Sequence, residues 1–367
     1  MRLAVLRYES FATAAANPTP FDSYNARSPL SPSIGGKGKG DRGPVRPFAT
    51  PLRRLAILML LLYGGAIALA LGGTDVIFDQ QQLINGLSSG AIYGSIALAL
   101  VMMFRATGVL NLAIGETSTL GAFIAWSLIV SAGLPYWVGL LLAAGALGLA
   151  GAALEAGVLS HLAERGPLTM IVITAGLLGL VRDLDELIWS DRPRPFPTPF
   201  HGAVLHTAGL YVTRPRLGTF LTVCAAIGLL AWLFQRTRLG LALRAAAQRP
   251  EAARLCGIPV RRMRTLGWGL ATALGAVGGI LIANIILLDP RMLEGGLIYA
   301  LAAAALGGLD QPAGAIVGGA VVGMFDGVVG SIAPFKEIQL PVVVLLVFIV
   351  LTAWPDGLLG ARSRRSI

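Results

Sequence analysis

Long apolar runs broken by short polar ones set the rhythm of this chain. Spans dominated by Leu, Ala, Gly, Val and Ile fall at about 55–73, 84–104, 117–133, 136–158, 167–189, 218–235, 265–288, 295–309, 313–333 and 340–354. A helix rises about 1.5 Å per residue, so windows of roughly 17–25 apolar residues cross a hydrocarbon layer about 30 Å thick. The pattern predicts an all-α polytopic membrane protein with about ten transmembrane helices. Within the ninth span, Gly319, Gly323 and Gly327 repeat every fourth residue, with Gly314 and Gly318 offset beside them. Such spacing lines glycines along one helical stripe and predicts close packing against a neighbouring helix.

The polar segments orient these spans. Of 29 Lys and Arg, nine lie in residues 1–54, eight in 236–264 and three in 362–365. Basic residues flank the cytoplasmic ends of membrane helices, which predicts that all three clusters are cytoplasmic. Ten crossings satisfy this and leave 190–217, with its prolines, outside. Reading the short span 295–309 as a re-entrant half-helix would put the terminal arginines outside, so ten is preferred. With that count, spans two to five and seven to ten start from opposite sides, the parity of an inverted repeat. Trp137, Trp189, Trp232, Trp268 and Trp354 fall near span ends, where indole favours the headgroup layer; Trp126, mid-span, does not fit.

Composition agrees with a lipid environment. Hydrophobic residues make up 55% of the 367-residue chain and charged residues 13%, about half the soluble-protein average. The net charge of +10 sits in loops and tails with no interleaved aromatic residues to stack on bases, so nucleic acid is not an expected partner. Residues 1–54 lack periodicity and read as a disordered basic cytoplasmic tail; a translation start assigned too early explains them equally well. They hold Gly38, Gly40 and Gly43 in dinucleotide-fingerprint spacing, but no strand precedes and no helix follows. Residues 55–361 form the membrane domain and 362–367 a second cytoplasmic tail. Cys224 and Cys256 fall in a span and a loop, and His161, His201 and His206 in loops, a pattern that recommends neither disulfide nor metal.

Residues 236–264 stand out as a charged island between apolar spans. Pro250 suits a first helical turn, Glu251 lies at the positive end of that helix, Gly257 suits a left-handed cap and Pro259 can start the next helix. The expected product is a short helix lying across the cytoplasmic face, with Ala252 and Ala253 bare enough to enter another protein's groove. Taken alone, the composition favours an ordinary positive-inside loop.

The order Glu251-Ala252-Ala253-X3-Gly257 resembles the coupling loop of ABC importer permeases. Three further stretches extend the likeness: QLINGLSSGAIYGSIALALVMMFRATGVLNLAIGETSTLGAF at 82–123, ALGGLDQPAGAIVGG at 305–319 and WPDGLLG at 354–360. In this order and spacing, over about 82–360, the chain resembles the LivH-type permeases of high-affinity branched-chain amino-acid ABC importers. The resemblance implies a type II-like helical permease in the bacterial inner membrane that carries leucine, isoleucine and valine. It also implies two cytoplasmic ATPases, a homologous LivM-type permease or a second copy, and an extracytoplasmic binding protein. Glu251, Ala252, Ala253, Gly257, Arg244 and Pro259 would then form the ATPase coupling element. No GxxxxGK[ST] motif occurs, so nucleotide belongs to a partner chain, and neither cofactor nor catalytic residue is expected here.

One departure bears on the solute. Where the family often has Asn-Phe-Ala-His-Gly-Glu, this chain has Asn111-Leu112-Ala113-Ile114-Gly115-Glu116. Relatives carry urea, short amides or other small solutes, and losing the aromatic and the histidine leaves these open. Asn111, Gly115 and Glu116 are candidates for the translocation path, with Asn111 close enough to share a polar pocket with Glu116. A structural cap or an ion pair is the competing role for Glu116. Glu155, near the inner end of its span, is expected to snorkel to the headgroups, and Asp326 to pair across a helix interface. A stand-alone ion-coupled carrier is the other class of function, and it gives no reason for the coupling-loop pattern.

Overall fold

The computed structural model describes residues 80–162, 166–200, 205–207, 210–309, 311–331, 337–355 and 357–359. The tail 1–54, the first expected span 55–73 and the end 362–367 lie outside the described residues.

The long helix α1 (Gln80–Thr107) comes first. After a non-helical break, α2 (Ile114–Trp126) runs on through one wide turn, Ser127–Ser131. Then α3 (Tyr136–Leu154) continues through a second wide turn, Glu155–Leu159, into Ser160–Leu162. Next come α4 (Pro167–Trp189) and a small antiparallel hairpin, β1 (Leu205–Thr207) with β2 (Leu210–Val212). The second half holds α5 (Arg214–Arg236), α6 (Arg238–Gln248), α7 (Pro250–Leu255) and α8 (Val260–Ala283). It closes with α9 (Glu294–Gly307), α10 (Pro312–Ser331) and α11 (Gln339–Ala353). Pro167, Pro250 and Pro312 each stand in a first helical turn, where the missing N–H has no partner to lose.

Helix α8 is the hub, packed by α1, α2 and α3, while α10 and α9 close the other side of α1. The share of each span buried within the chain is 78% for α8 and 72% for α1 but 22% for α5, which separates core from periphery. The seam between α1 and α10 is made of glycine. Gly86, Gly90 and Gly94 face Gly319 and Gly323 backbone to backbone, so the predicted stripe is a packing surface. A methyl group on Gly90 would stand 2.6 Å from the Gly319 carbonyl oxygen, which leaves no room for any other residue. Gly323→Leu should therefore push the two helices apart and abolish a monodisperse peak in size-exclusion chromatography. Gly145→Leu, at a glycine with open space around it, should leave that peak intact. Equal behaviour of the two variants would show that the seam does not hold the bundle.

Described helices underlie every expected span after the first, but their lengths revise the simple count. Six are long and apolar enough to cross a membrane: those over Asn85–Arg105, Ile114–Ser131, Tyr136–Leu162, Arg214–Arg236, Val260–Ala283 and Pro312–Gly330. With 14 and 15 residues, α9 and α11 are shorter than about 20 residues, the length a full crossing needs. Helix α4 has 23 residues, yet Arg182, Asp183, Asp185 and Glu186 crowd its last two turns. Among the described residues, the 190–217 segment is tied to the turn after α8 by paired backbone bonds between Arg194 and Leu288, both 2.9 Å.

Two tryptophans depart from expectation. Trp268 is 2% exposed in the core, because α8 begins at Val260 and carries the indole well inside the bundle. Trp126, the misfit, ends α2 beneath the Arg194 guanidinium, 4.9 Å from the ring centre. Trp189 stacks on Phe123 and donates to Ser127 at 2.8 Å, whereas Trp137 and Trp232 are exposed as a headgroup position requires.

Candidate functional site

Two places gather the chemistry. The first is the connection from α5 to α8. Thr237 caps α6 by accepting from the Gly240 N–H at 3.0 Å, and an extended Arg249 turns the chain into α7. Cys256 N–H donates to Ala252 O at 3.1 Å, Gly257 N–H to Arg254 O at 3.0 Å and Ile258 N–H to Ala253 O at 2.9 Å. These close the end of α7 around Gly257, whose φ of +77° lies in the left-handed region that glycine takes without strain. Pro259 precedes α8 at its cap position. The expected short helix, cap and restart all appear.

What α7 presents differs from expectation. Glu251 and Ala252 are exposed, but Ala253 is 4% exposed and packs inward, so it anchors α7 to its own chain and does not face a partner. The side chain that does stand clear is Leu255, 90% exposed. This apolar side chain at the tip of a charged loop was not singled out by the Glu-Ala-Ala pattern. Arg244, on α6, turns toward the bundle, and its Nε is buried without a hydrogen-bond partner among the described residues.

The same end of the bundle is pinned by Glu155. Its carboxylate accepts from Arg264 Nε at 2.5 Å and from Thr265 Oγ1 at 2.5 Å, and it is 1% exposed. It therefore does not snorkel. The wide turn over Glu155–Leu159 lies against α8, which brings the Arg264 guanidinium within reach of the carboxylate.

The second place lies where α2 starts. Asn111 is 2% exposed; its Oδ1 accepts from the Ala113 N–H at 2.9 Å and its Nδ2 reaches Met103 Sδ at 3.1 Å. It closes the break between α1 and α2, with its amide turned to Ala113 and Met103. Gly115 packs against Leu297 of α9. Glu116, 3% exposed, lies 3.9 Å from Arg182, which also pairs with Glu294 at the start of α9. One turn on from Arg182, Asp185 is fully buried, and neither of its carboxylate oxygens has a hydrogen-bond partner among the described residues. Glu186 pairs with Arg291 at 3.2 Å. Helices α2 and α4 and the start of α9 are thus linked by charge, from buried Glu116 through Arg182 to Glu294 at the surface.

Arg182, Asp185 and Glu294 were missed by sequence reasoning, although four charges in Arg182-Asp183-Leu184-Asp185-Glu186 within an otherwise apolar span were the available signal. Asp326 pairs as expected across a helix interface, accepting a hydrogen bond from Tyr299, which stacks on Tyr93 at 4.8 Å. For Glu116 the geometry predicts that Gln is tolerated better than Leu, because only Gln keeps hydrogen-bonding capacity toward Arg182. Equal loss of transport in the two variants at normal membrane abundance would show that the charge itself is required.

The comparisons with known proteins bear on the whole bundle. The family described as branched-chain amino acid transport system / permease component matches residues 82–352. The high-affinity branched-chain amino acid transport system permease protein LivH of Escherichia coli K12 is 26% identical over 77% of this chain and 96% of its own length. The permease BraD of Pseudomonas aeruginosa is 28% identical over 76% of this chain and 95% of its own. The autoinducer 2 import system permease LsrC of Salmonella paratyphi B is 27% identical over 74% of each. Among solved structures, PsaBC from Streptococcus pneumoniae in complex with Fab aligns with a TM-score of 0.40 and 16% identity, over 76% of this chain and 93% of that one. The family match runs from α1 into α11 and takes in the break at Asn111, the α4 charges and the α7 connection alike; the chain is a multi-pass membrane protein that belongs to the branched-chain amino acid transport system permease family.

Proposed function

We propose that this chain is the translocating subunit of an ATP-driven importer for the branched-chain amino acids leucine, isoleucine and valine. Its partners in that reading are cytoplasmic ATPase subunits docked on α7, a LivM-type permease or second copy of this chain, and a binding protein on the outer face. Both termini and the 236–264 connection are cytoplasmic. The observation that carries the reading is the α7 tip, where Glu251, Ala252 and Leu255 project from a helix closed by Gly257 at the arginine-rich end of the bundle. Work done on ATP by another chain has to enter through a firm surface contact, and an exposed leucine beside charges is suited to form one. Arg244, Pro259 and buried Ala253 support that surface from behind. The α2 start, with Gly115 and Glu116 linked to Arg182, lies beside the path, and Asn111 sets the break that admits it.

Leu112 and Ile114, in place of the family's aromatic and histidine, favour a second reading in which the solute is urea, a short amide or another small molecule. Uptake of labelled leucine, valine and urea by the complex reconstituted with its own binding protein decides between them. Leucine and valine accumulating with ATP supports the first reading, and urea alone the second. Flux through this chain without ATPase or binding protein overturns both in favour of a stand-alone carrier.

A further inference from the structure

A cavity of about 960 Å³ opens between α1, α5, α6, α8 and the start of α10, at the size of a large ligand site. Its walls are of two kinds. Toward the middle of the bundle they are apolar, with Leu98 and Met102 from α1 and Ile227, Leu230 and Phe234 from α5. Toward the loop they are cationic, lined by Arg105, Arg236, Arg244, Arg254 and Arg264, with no Asp or Glu among the described lining residues. Glu155 neutralises Arg264 from behind. Arg244 is left with its Nε buried and without a hydrogen-bond partner among the described residues, a costly state for a guanidinium that an anion would relieve. Trp232, 58% exposed and one turn before Arg236, places the cationic rim at headgroup depth.

We propose that this cavity binds an anionic phospholipid, with its phosphate diester held by Arg236, Arg244 and Arg254 and an acyl chain laid along Leu98, Met102, Ile227, Leu230 and Phe234. A soluble anion needs polar walls on every side, and the upper half of the cavity offers it none. Basic pockets between membrane helices at headgroup depth suit lipid phosphates. Because α6 and α7 form part of the wall, the lipid bridges the bundle and the α5–α8 connection.

The test uses the full chain purified in detergent with labelled phosphatidylglycerol or phosphatidylcholine, scored by retained label. Wild type should retain phosphatidylglycerol selectively and saturably. Arg236→Gln with Arg244→Gln should lower that retention at least about tenfold. Ala231→Trp, which fills the cavity and leaves every charge in place, should do the same. A matching thermal melt confirms that each variant folds, and the arginine pair stands as the test if the tryptophan variant does not. Excess inorganic phosphate should displace little lipid. Equal retention in all chains overturns the site. Ready displacement by phosphate, with no effect of Ala231→Trp, overturns the lipid in favour of a soluble anion. Loss of the lipid on adding the ATPase subunits overturns it in favour of an acidic protein contact.

Discussion

Leu255→Asp should detach the ATPase subunits from the permease while leaving the chain folded and inserted. Leu255 is 90% exposed and lies outside every helix long enough to cross the membrane, so neither the core nor the lipid depends on it. A carboxylate in place of a central apolar anchor costs about 2 kcal/mol or more, roughly a thirtyfold loss of affinity. Gly257→Leu should act at the same interface by another route. Its φ of +77° makes a leucine there costly by about 1–2 kcal/mol, and relief of that strain would open the bonds from Gly257 and Ile258 and re-aim α7. Glu251→Lys, at an exposed charge, should have the smaller effect. Ala253→Trp should also weaken docking, by forcing α7 off its own seat and not by overfilling a partner's groove. Co-purification of the ATPase, and the ratio of ATP hydrolysed to solute taken up, are the readouts. Wild-type values in all four variants would make 236–264 an ordinary basic loop.

The largest loss of stability should follow Arg182→Leu. That change removes the cation shared by Glu116 and Glu294 and leaves Glu116, 3% exposed, with its charge unmatched. Breaking a buried pair from one side costs about 3–5 kcal/mol, more than any surface change in this chain should. Adding Glu116→Gln to the same chain should recover part of the loss, since the second substitution removes the charge that the first one stranded. Thermal unfolding of the purified chain measures both steps. A double variant as unstable as the sum of the singles would mean that the two side chains do not interact.

Much of the bundle could be read from periodicity, because a lipid-spanning helix advertises itself by length and apolarity alone. The same averaging hid α4's charges: a run of Leu, Ile and Val outweighs Arg182, Asp183, Asp185 and Glu186 in any long window, although Arg182 among them ties α2 and α9 together. Short α9 looked like a weak span because hydropathy does not register where a helix starts in depth. The Pro250–Gly257 helix was legible from its two helix-ending residue types, Pro and Gly, whose backbone limits act locally. Which of its residues faced outward was not. Ala253 and Leu255 are separated by about half a turn, and only packing against α6 decided that the alanine went in and the leucine out. Glu155 was misjudged for a related reason, since nothing in its neighbourhood along the chain announces Arg264 or Thr265.

Cys256, exposed immediately after α7, offers a native handle on the docking contact itself. With the other exposed thiol removed by Cys224→Ser, a photoactivatable maleimide on Cys256 can be triggered in membranes that contain the whole complex. The expected result is a cross-link to an ATPase subunit, lost when Leu255→Asp is added. Cross-links to lipid or to the extracytoplasmic binding protein, with none to the ATPase, would contradict the placement of α7 at the power-transmitting face.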